Sequence, residues 1–196
     1  MAKPNRKQRN EEIFGVISQM FSEKGYLETT MRDVAKALNI KPPSLYNYFT
    51  SKEEALFKLI NDSMDVALEK IKDINAMDIP AKEKLFKVIE FYTYSYSVRK
   101  EGPILLLHYV DKLTKRRQKI LIEKQRQFSD MAALILKEMQ DEGLMKPIPP
   151  KIALFAFFGM VNYTIKWYHP EGSVKPEDLV NCFIEIYTKG ILHDTS

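Results

Sequence analysis

The fold is decided by residues 21–56, which read FSEKGYLETTMRDVAKALNIKPPSLYNYFTSKEEAL. Gly25 predicts the end of a first helix, because glycine readily adopts the left-handed conformation that stops one. Thr29 or Thr30 can cap the next helix through a side-chain oxygen. Asn39 can end that helix, since asparagine tolerates a positive φ. The stretch therefore predicts a short helix between two turns.

A second short helix follows directly. Pro42 and Pro43 are tolerated only near a helix start, so a helix begins there and carries residues 44–49. Ser51 then caps a fourth helix, whose first turn holds two glutamates near the positive end of the helix dipole. Two short helices bury little surface alone, so a third must support them. That supporting helix is predicted over residues 9–24, where apolar residues recur at helical spacing.

The excess positive charge of the chain lies at its amino-terminal end. The 196 residues carry a net charge of +4. Residues 1–52 hold nine Lys or Arg against five Asp or Glu, whereas residues 53–196 hold 21 of each kind. A basic segment in front of a neutral body indicates a polyanion that docks at one end.

The helix-turn-helix pattern indicates double-stranded DNA as that polyanion, because the second helix of such a unit enters the major groove. Leu45 and Phe49, four residues apart, can pack this helix against Val34 and Leu38. The other side chains then face outward, where Ser, Asn and Tyr can reach base edges or phosphates. The N–H groups at helix starts can also bind phosphates, and the basic residues before the first helix can reach the DNA backbone or a groove. The expected DNA contacts are therefore Arg6, Lys7, Thr30, Lys41, Pro42, Ser44, Tyr46, Asn47, Tyr48 and Lys52.

Residues beyond 52 predict a larger helical body. The fourth helix runs on to about residue 74, and the later helices are predicted over residues 81–99, 103–110, 114–142, 150–168 and 175–190. The sequence thus predicts an all-α protein of about nine helices. A three-helix helix-turn-helix module occupies residues 1–52, and a helical body for ligand binding and dimerisation occupies residues 53–196.

Composition excludes several classes of protein. Contents of 45% hydrophobic and 29% charged residues are typical of a globular chain. The single cysteine, Cys182, leaves no disulfide framework within one chain and favours a reducing, cytoplasmic setting. The amino terminus lacks the apolar stretch of a signal peptide, and residues 152–161 are too few to span a bilayer. We find no histidine spacing for a metal, no phosphate loop and no nucleophile elbow, so we expect neither a metal site nor an enzyme.

The last two long helices are apolar on more than one face. Packing against both the body and a two-fold mate would bury all of these faces, as in a four-helix dimer interface. A plain monomeric core is the alternative. The expected interface residues are Phe155, Gly159, Phe183, Ile184 and Tyr187.

Four aromatic residues between positions 91 and 96 offer apolar surface with polar tips, which suits a largely apolar pocket. For any one of these residues, a place in the core is the alternative interpretation. Together with apolar residues from other helices, the expected ligand-binding residues of this kind are Tyr92, Tyr96, Leu106, Phe128, Met131, Phe158 and Tyr163.

Residues 21–56 resemble the amino-terminal signature of TetR-family repressors. The family's usual turn glycine is Asn39 here, and its small residues at the start of the recognition helix are Pro42 and Pro43. Both departures bear on base contacts and not on the fold. The positions that match are Gly25-Tyr26, Thr30, Asp33-Val34-Ala35, Leu45-Tyr46, Phe49 and Lys52-Glu53.

This resemblance implies a homodimer in which Tyr46 and Tyr48 contact DNA backbone or bases and Lys52 contacts a phosphate. The alternative is that the two tyrosines are rim aromatics of the three-helix core. The body is also similar to TetR-type regulators of fatty-acid and steroid degradation, which respond to acyl-CoA thioesters. The stretches LTKRRQKI (113–120) and NYTIKWYHPEG (162–172) carry this similarity.

The similarity of the body implies a pocket for an acyl chain with basic residues at its mouth. Lys166 and Trp167 are the matching positions, and Arg116 or Arg117 is a further candidate. For the arginines, a solvated helix face is the alternative. No cofactor is expected beyond an acyl-CoA effector.

We therefore expect a cytoplasmic, TetR-type repressor that binds a palindromic operator as a homodimer and is released by a small hydrophobic effector, with no membrane partner. One alternative is a TetR-type regulator of efflux or stress genes that senses another apolar or aromatic ligand. Another is a DNA-binding protein that is independent of any ligand. A helical enzyme would need a cluster of acid, base or metal-binding residues.

Overall fold

A computed structural model describes residues 6–193, with side chains described from Gln8 onward. These residues form helices and no strand, apart from an isolated bridge between Met145 and Leu192. The all-α prediction is confirmed. A 3₁₀ turn, Val110–Lys112, joins the sixth and seventh helices. The helices are α1 (Arg6–Glu23), α2 (Met31–Ala37), α3 (Pro42–Leu45), α4 (Lys52–Ala76), α5 (Ala81–Ser97), α6 (Glu101–Tyr109), α7 (Lys115–Asp141), α8 (Pro150–Asn162), α9 (Thr164–Trp167) and α10 (Pro176–Ile191).

The chain divides into two compact units. The first unit contains the described residues up to Ser63 together with Glu101–Leu121. The second unit contains Met64–Lys100 and the described residues from Ile122 onward. The boundaries fall inside α4, between α5 and α6, and inside α7, so each unit combines two segments of the chain. The functional division after residue 52 stays a prediction.

Each unit buries its own apolar core. In the first unit, α1 contributes a buried row of three residues at helical spacing, Ile13, Ile17 and Phe21. In the second unit, the core is rich in aromatic rings from α5, α7, α8 and α10. None of the described helices combines the length and the apolar character needed to cross a bilayer.

The helix ends predicted in the first unit are confirmed. Gly25 has φ +104°, and Asn39 has φ +51°, so both adopt the left-handed conformation that ends a helix. Thr30 caps α2 by accepting a hydrogen bond from the Asp33 N–H at 3.1 Å. The neighbouring Thr29 is buried instead, and its hydroxyl donates to the Gly25 carbonyl at 2.8 Å.

Helix α3 is shorter than predicted, because its α-helical part ends at Leu45 and does not reach Phe49. The chain continues in tighter turns, where the Tyr46 N–H donates to the Pro43 carbonyl at 3.2 Å and the Tyr48 N–H to the Leu45 carbonyl at 2.9 Å. Bonds of this spacing are those of a 3₁₀ helix.

The single helix predicted over residues 150–168 is wrong, because the structure divides it at Tyr163 into α8 and α9. The Thr164 hydroxyl donates to the Val161 carbonyl at 2.7 Å, so a side chain competes with the backbone at this point. The division places Tyr163, Lys166 and Trp167 on a corner of the second unit.

Candidate DNA interface and effector site

The helix-turn-helix of the first unit alternates buried and exposed side chains. Leu45 and Phe49 are buried, as are Val34 and Leu38. Tyr46, which lies between the two buried residues of the α3 segment, has 52% of its surface exposed. The packing predicted from the four-residue spacing is therefore confirmed, and it leaves the next face of α3 open.

That open face carries most of the expected DNA contacts. Lys41, Pro42 and Asn47 are exposed, whereas Ser44 and Tyr48 are partly buried. The Tyr48 carbonyl accepts a hydrogen bond from the Lys58 ammonium at 2.9 Å, which ties the end of the segment to α4. The face offers hydroxyl, amide and ammonium groups of the kinds that bind phosphates and base edges.

Thr30 is exposed, but its side chain already forms a capping box. The Asp33 carboxylate accepts hydrogen bonds from the Thr30 N–H at 2.9 Å and from the Thr30 hydroxyl at 2.8 Å. These two bonds, first the one from the backbone, lower the pKa of Asp33. A phosphate at this position would meet a hydroxyl whose proton is already shared.

Lys52 begins α4 and lies over the face of an aromatic ring. Its Nζ is 4.3 Å from the centre of the Tyr26 ring, and it donates to the Leu27 carbonyl at 3.4 Å. Partial burial lowers the pKa of Lys52. The Ser51 hydroxyl accepts the Glu54 N–H at 3.1 Å and so caps α4 as predicted. The side chains of Arg6 and Lys7, also expected at DNA, lie outside the described residues.

An aromatic cluster fills the middle of the second unit around Tyr92. The centre of the Tyr92 ring is 4.5 Å from that of Tyr96 and 4.6 Å from that of Phe158, and both pairs are stacked. Phe128 stacks on Tyr92 at 6.0 Å. The Tyr92 hydroxyl donates to the Asn162 side-chain oxygen at 2.9 Å, and burial raises the pKa of this tyrosine. The structure thus brings four expected ligand-binding residues together, as a packed cluster.

The other expected ligand-binding residues are spread over three places. Met131 is partly buried and packs against the core of the second unit. Tyr163 and Trp167 lie on the corner at α9 with 66% and 47% of their surfaces exposed, and Lys166 is exposed beside them. Leu106, partly buried, and Arg116, exposed, both belong to the first unit.

Two open cavities of the second unit involve none of these residues. One, of about 550 Å³, lies between α4 and α5, and the other, of about 450 Å³, lies between α5 and α10. Both are lined by Lys87, Glu90 and Tyr94 on the outer face of α5. These cavities were not predicted from the sequence, because charged residues on a helix face are usually only solvated.

The expected dimer residues divide into an exposed group on α8 and a largely buried group on α10. Phe155 on α8 has 58% of its surface exposed, and Gly159 is exposed one turn further along. Phe183 and Tyr187 on α10 are buried in the core of their own unit, and Ile184 packs against that core. The apolar residues that α10 does expose are Cys182 and Ile186.

Two family models match most of the chain. A family model described as "Bacterial regulatory proteins, tetR family" matches residues 13–59. A second, described as "Tetracyclin repressor-like, C-terminal domain", matches residues 78–191, which is more than half of the chain. The chain belongs to the TetR family. TetR-family proteins are DNA-binding transcription regulators and not enzymes. The prediction of a DNA-binding regulator and the prediction that the protein is not an enzyme are therefore both confirmed.

Curated TetR-family relatives match along most of their length. The HTH-type transcriptional repressor KstR2 of Rhodococcus jostii is 24% identical over 188 residues, which cover 93% of this chain and 91% of that protein.

Solved TetR-family structures share the fold. The ketosteroid transcriptional regulator KstR2 of Mycobacterium tuberculosis has a TM-score of 0.89 at 22% identity and covers 98% of both chains. AibR in complex with isovaleryl coenzyme A and operator DNA has a TM-score of 0.82 at 22% identity, covering 91% of this chain and 97% of AibR. At these identities the likeness establishes the fold.

Proposed function

We propose that this TetR-family protein is a transcriptional repressor that binds a palindromic operator as a homodimer in the cytoplasm and is released by an acyl-CoA. The repressor name of the Rhodococcus jostii relative supports the direction of regulation. The observation that carries the dimer, and with it the palindrome, is an exposed apolar stripe along α8.

This stripe follows one face of α8 at helical spacing. A contiguous apolar surface of this kind is typical of a protein interface, because monomers seldom expose one. A Cβ added at Gly159 would meet no atom within 4 Å, so a partner helix can approach closely there. The exposed members of the stripe are Ile152, Phe155, Ala156, Gly159 and Tyr163.

Phe155→Asp tests the dimer. A carboxylate at the centre of the stripe would be buried against the partner without a counter-charge, so we expect monomers by sedimentation and loss of operator binding. Val66→Asp is the matched control, since Val66 is 57% exposed on α4 and outside the stripe. A dimeric Phe155→Asp protein would contradict the proposed interface.

The effector assignment is supported by two neighbouring features of the second unit. The buried aromatic cluster suits an apolar chain, and the corner at α9 adds an exposed ammonium at Lys166 and an exposed indole at Trp167. An ammonium can meet phosphates and an indole can stack on adenine. Asn162 connects the two features, because it accepts the Tyr92 hydrogen bond and lies at the end of α8. The AibR structure with isovaleryl coenzyme A adds a precedent within the family.

Thermal unfolding and DNA release with a series of acyl-CoAs test this assignment. The DNA is a duplex selected from random sequence by the wild-type protein. We expect an acyl-CoA to raise the melting temperature and release the duplex, while coenzyme A alone and the free fatty acid do so weakly. Lys166→Ala should weaken the response, and Lys72→Ala, an exposed lysine on α4, should not. If no acyl-CoA stabilises the protein, the assignment is wrong.

A flat apolar or aromatic effector is the second candidate, because the Tyr96, Tyr92 and Phe158 rings stack within 21° of parallel. Aromatic rings of the ligand could join such a stack in the offset parallel arrangement that aromatic pairs prefer. Release of the duplex by an uncharged aromatic compound, with no response to acyl-CoAs and no effect of Lys166→Ala, would favour this candidate.

A further inference from the structure

Glu53 connects the first turn of α4 to the first turn of α7, within the first unit. Its carboxylate accepts the Thr114 N–H at 2.9 Å and pairs with the Arg117 guanidinium at 2.9 Å. The guanidinium also lies 5.3 Å from the centre of the Phe57 ring, one turn further along α4. The Thr114 hydrogen bond and then Arg117 lower the pKa of Glu53, so the carboxylate is charged at neutral pH.

The residue before Glu53 is Lys52, the expected phosphate contact. The Lys52 ammonium lies over the Tyr26 ring, and that ring is 5.6 Å from the ring of Tyr109 at the end of α6. The start of α4 is therefore held on one side by the helix-turn-helix and on the other by the corner between α6 and α7. This corner lies some 60 residues away in sequence from Glu53.

We propose that Glu53 is a positioning residue for operator binding: its carboxylate, held by Thr114 and Arg117, fixes the first turn of α4 and so the place of the Lys52 ammonium. Glu53 itself does not contact DNA. The inference rests on the proposed contact between Lys52 and a phosphate.

Charge and positioning predict opposite changes in DNA affinity when the Glu53 carboxylate is removed. Removing a carboxylate from a unit that binds a polyanion raises the net positive charge and strengthens binding. A positioning role predicts weaker binding, because the α4 start and Lys52 lose their fixed geometry. The sign of the change therefore distinguishes positioning from simple charge.

The experiment compares Glu53→Gln, Arg117→Gln and the double variant in the full-length protein. Binding to the selected duplex is measured over a range of salt concentrations, well below the melting temperature of each variant. We expect each single variant to bind about tenfold more weakly, as for a lost charge-assisted hydrogen bond. The double variant should bind the duplex no more weakly than whichever single variant has the lower affinity, because the two substitutions remove the same link.

Matched controls come from the same corner. Asp111→Asn and Lys112→Gln remove one charge each from an exposed pair at the 3₁₀ turn, without touching Glu53. We expect both to bind within about twofold of the wild type. Arg117→Lys should restore part of the affinity, and it keeps the test available if Arg117→Gln does not fold.

Three outcomes would overturn the inference. Glu53→Gln could bind as tightly as the wild type or more tightly, or the effects of the two single variants could add in the double variant. A smaller salt dependence in Arg117→Gln would show that Arg117 meets a phosphate directly. Lys52→Gln separates the two proposals, since wild-type affinity in that variant would refute the Lys52 contact itself.

Discussion

The helix-turn-helix and the aromatic cluster place their candidate binding residues in opposite ways. In the helix-turn-helix, Tyr46 is exposed while its neighbour Leu45 is completely buried, so the candidate contact and the packing residue are different side chains. In the cluster, Tyr92 is both a candidate contact and a buried core residue. Mutations should therefore separate function from stability in the first unit but not in the second.

Tyr92→Ala should have the largest effect. It removes a ring that stacks on Tyr96 and Phe158, and we expect the free energy of unfolding to fall by about 3–5 kcal/mol, as for other buried aromatic truncations. Effector binding should be lost together with stability. Chemical unfolding and effector titration measure the two effects. Lost effector binding with unchanged stability would contradict the coupling of binding and stability in the cluster.

Tyr46→Ala should separate the two properties. We expect operator affinity to fall about 100-fold, or about 2.7 kcal/mol, because an exposed aromatic contact is removed from the α3 face. The free energy of unfolding should stay within about 0.5 kcal/mol of the wild type. Leu45→Ala is the matched control, since truncating this buried leucine should cost about 2–5 kcal/mol of stability. Unfolding of Tyr46→Ala would instead support the rim-aromatic interpretation.

Tyr92→Phe is a smaller change at the same position. The ring and its stacking remain, but the hydroxyl that donates to Asn162 at 2.9 Å is lost. We expect a loss of about 1 kcal/mol in the free energy of unfolding, with an altered effector preference. Urea unfolding and titration of the effector measure both. Wild-type values in both measurements would remove Asn162 from the proposed site.

Low pH should destabilise the first unit by protonating a carboxylate at the start of a helix. Hydrogen bonds from Thr50, followed by Lys58, lower the pKa of Glu54 from 4.5 to about 2. A carboxyl with a lowered folded-state pKa stabilises the fold above its unfolded pKa, and this contribution is lost as the pH falls from about 4.5 towards 2. In the second unit, α5, α8 and α10 start without a side-chain cap.

Glu54→Gln should therefore be less stable than the wild type at pH 7, where the contribution of the carboxylate is fully present. Its thermal stability should depend less on pH between about 5 and 2, so that the two proteins converge near pH 2. Circular dichroism melts at several pH values measure this. Identical pH profiles for the variant and the wild type would show that Glu54 contributes nothing to acid unfolding.

Helix boundaries and the helix-turn-helix packing could be predicted because their signals are local. Gly25, Asn39 and Gly143 each adopt a positive φ at the end of a helix, as their residue types suggest. The break at Tyr163 had no such signal, because it involves a threonine hydroxyl at the start of α9 that donates to a carbonyl at the end of α8.

The faces of α10 and the link through Glu53 could not be predicted for a different reason. More than one face of α10 is apolar, so the sequence did not distinguish the buried Phe183 from the exposed Ile186. Glu53 and Arg117 are each ordinary charged helix residues, and only the folded chain brings them together.

The first unit is built from two separate segments of the chain, the described residues up to 63 and residues 101–121. Helix α1 packs against α6, which comes from the second of these segments. A chimera that joins only the amino-terminal segment to a foreign sensing body would leave that surface of α1 uncovered. Exchange of sensing specificity in this protein therefore has to be made by grafting around residues 101–121, and not by a single crossover after the helix-turn-helix.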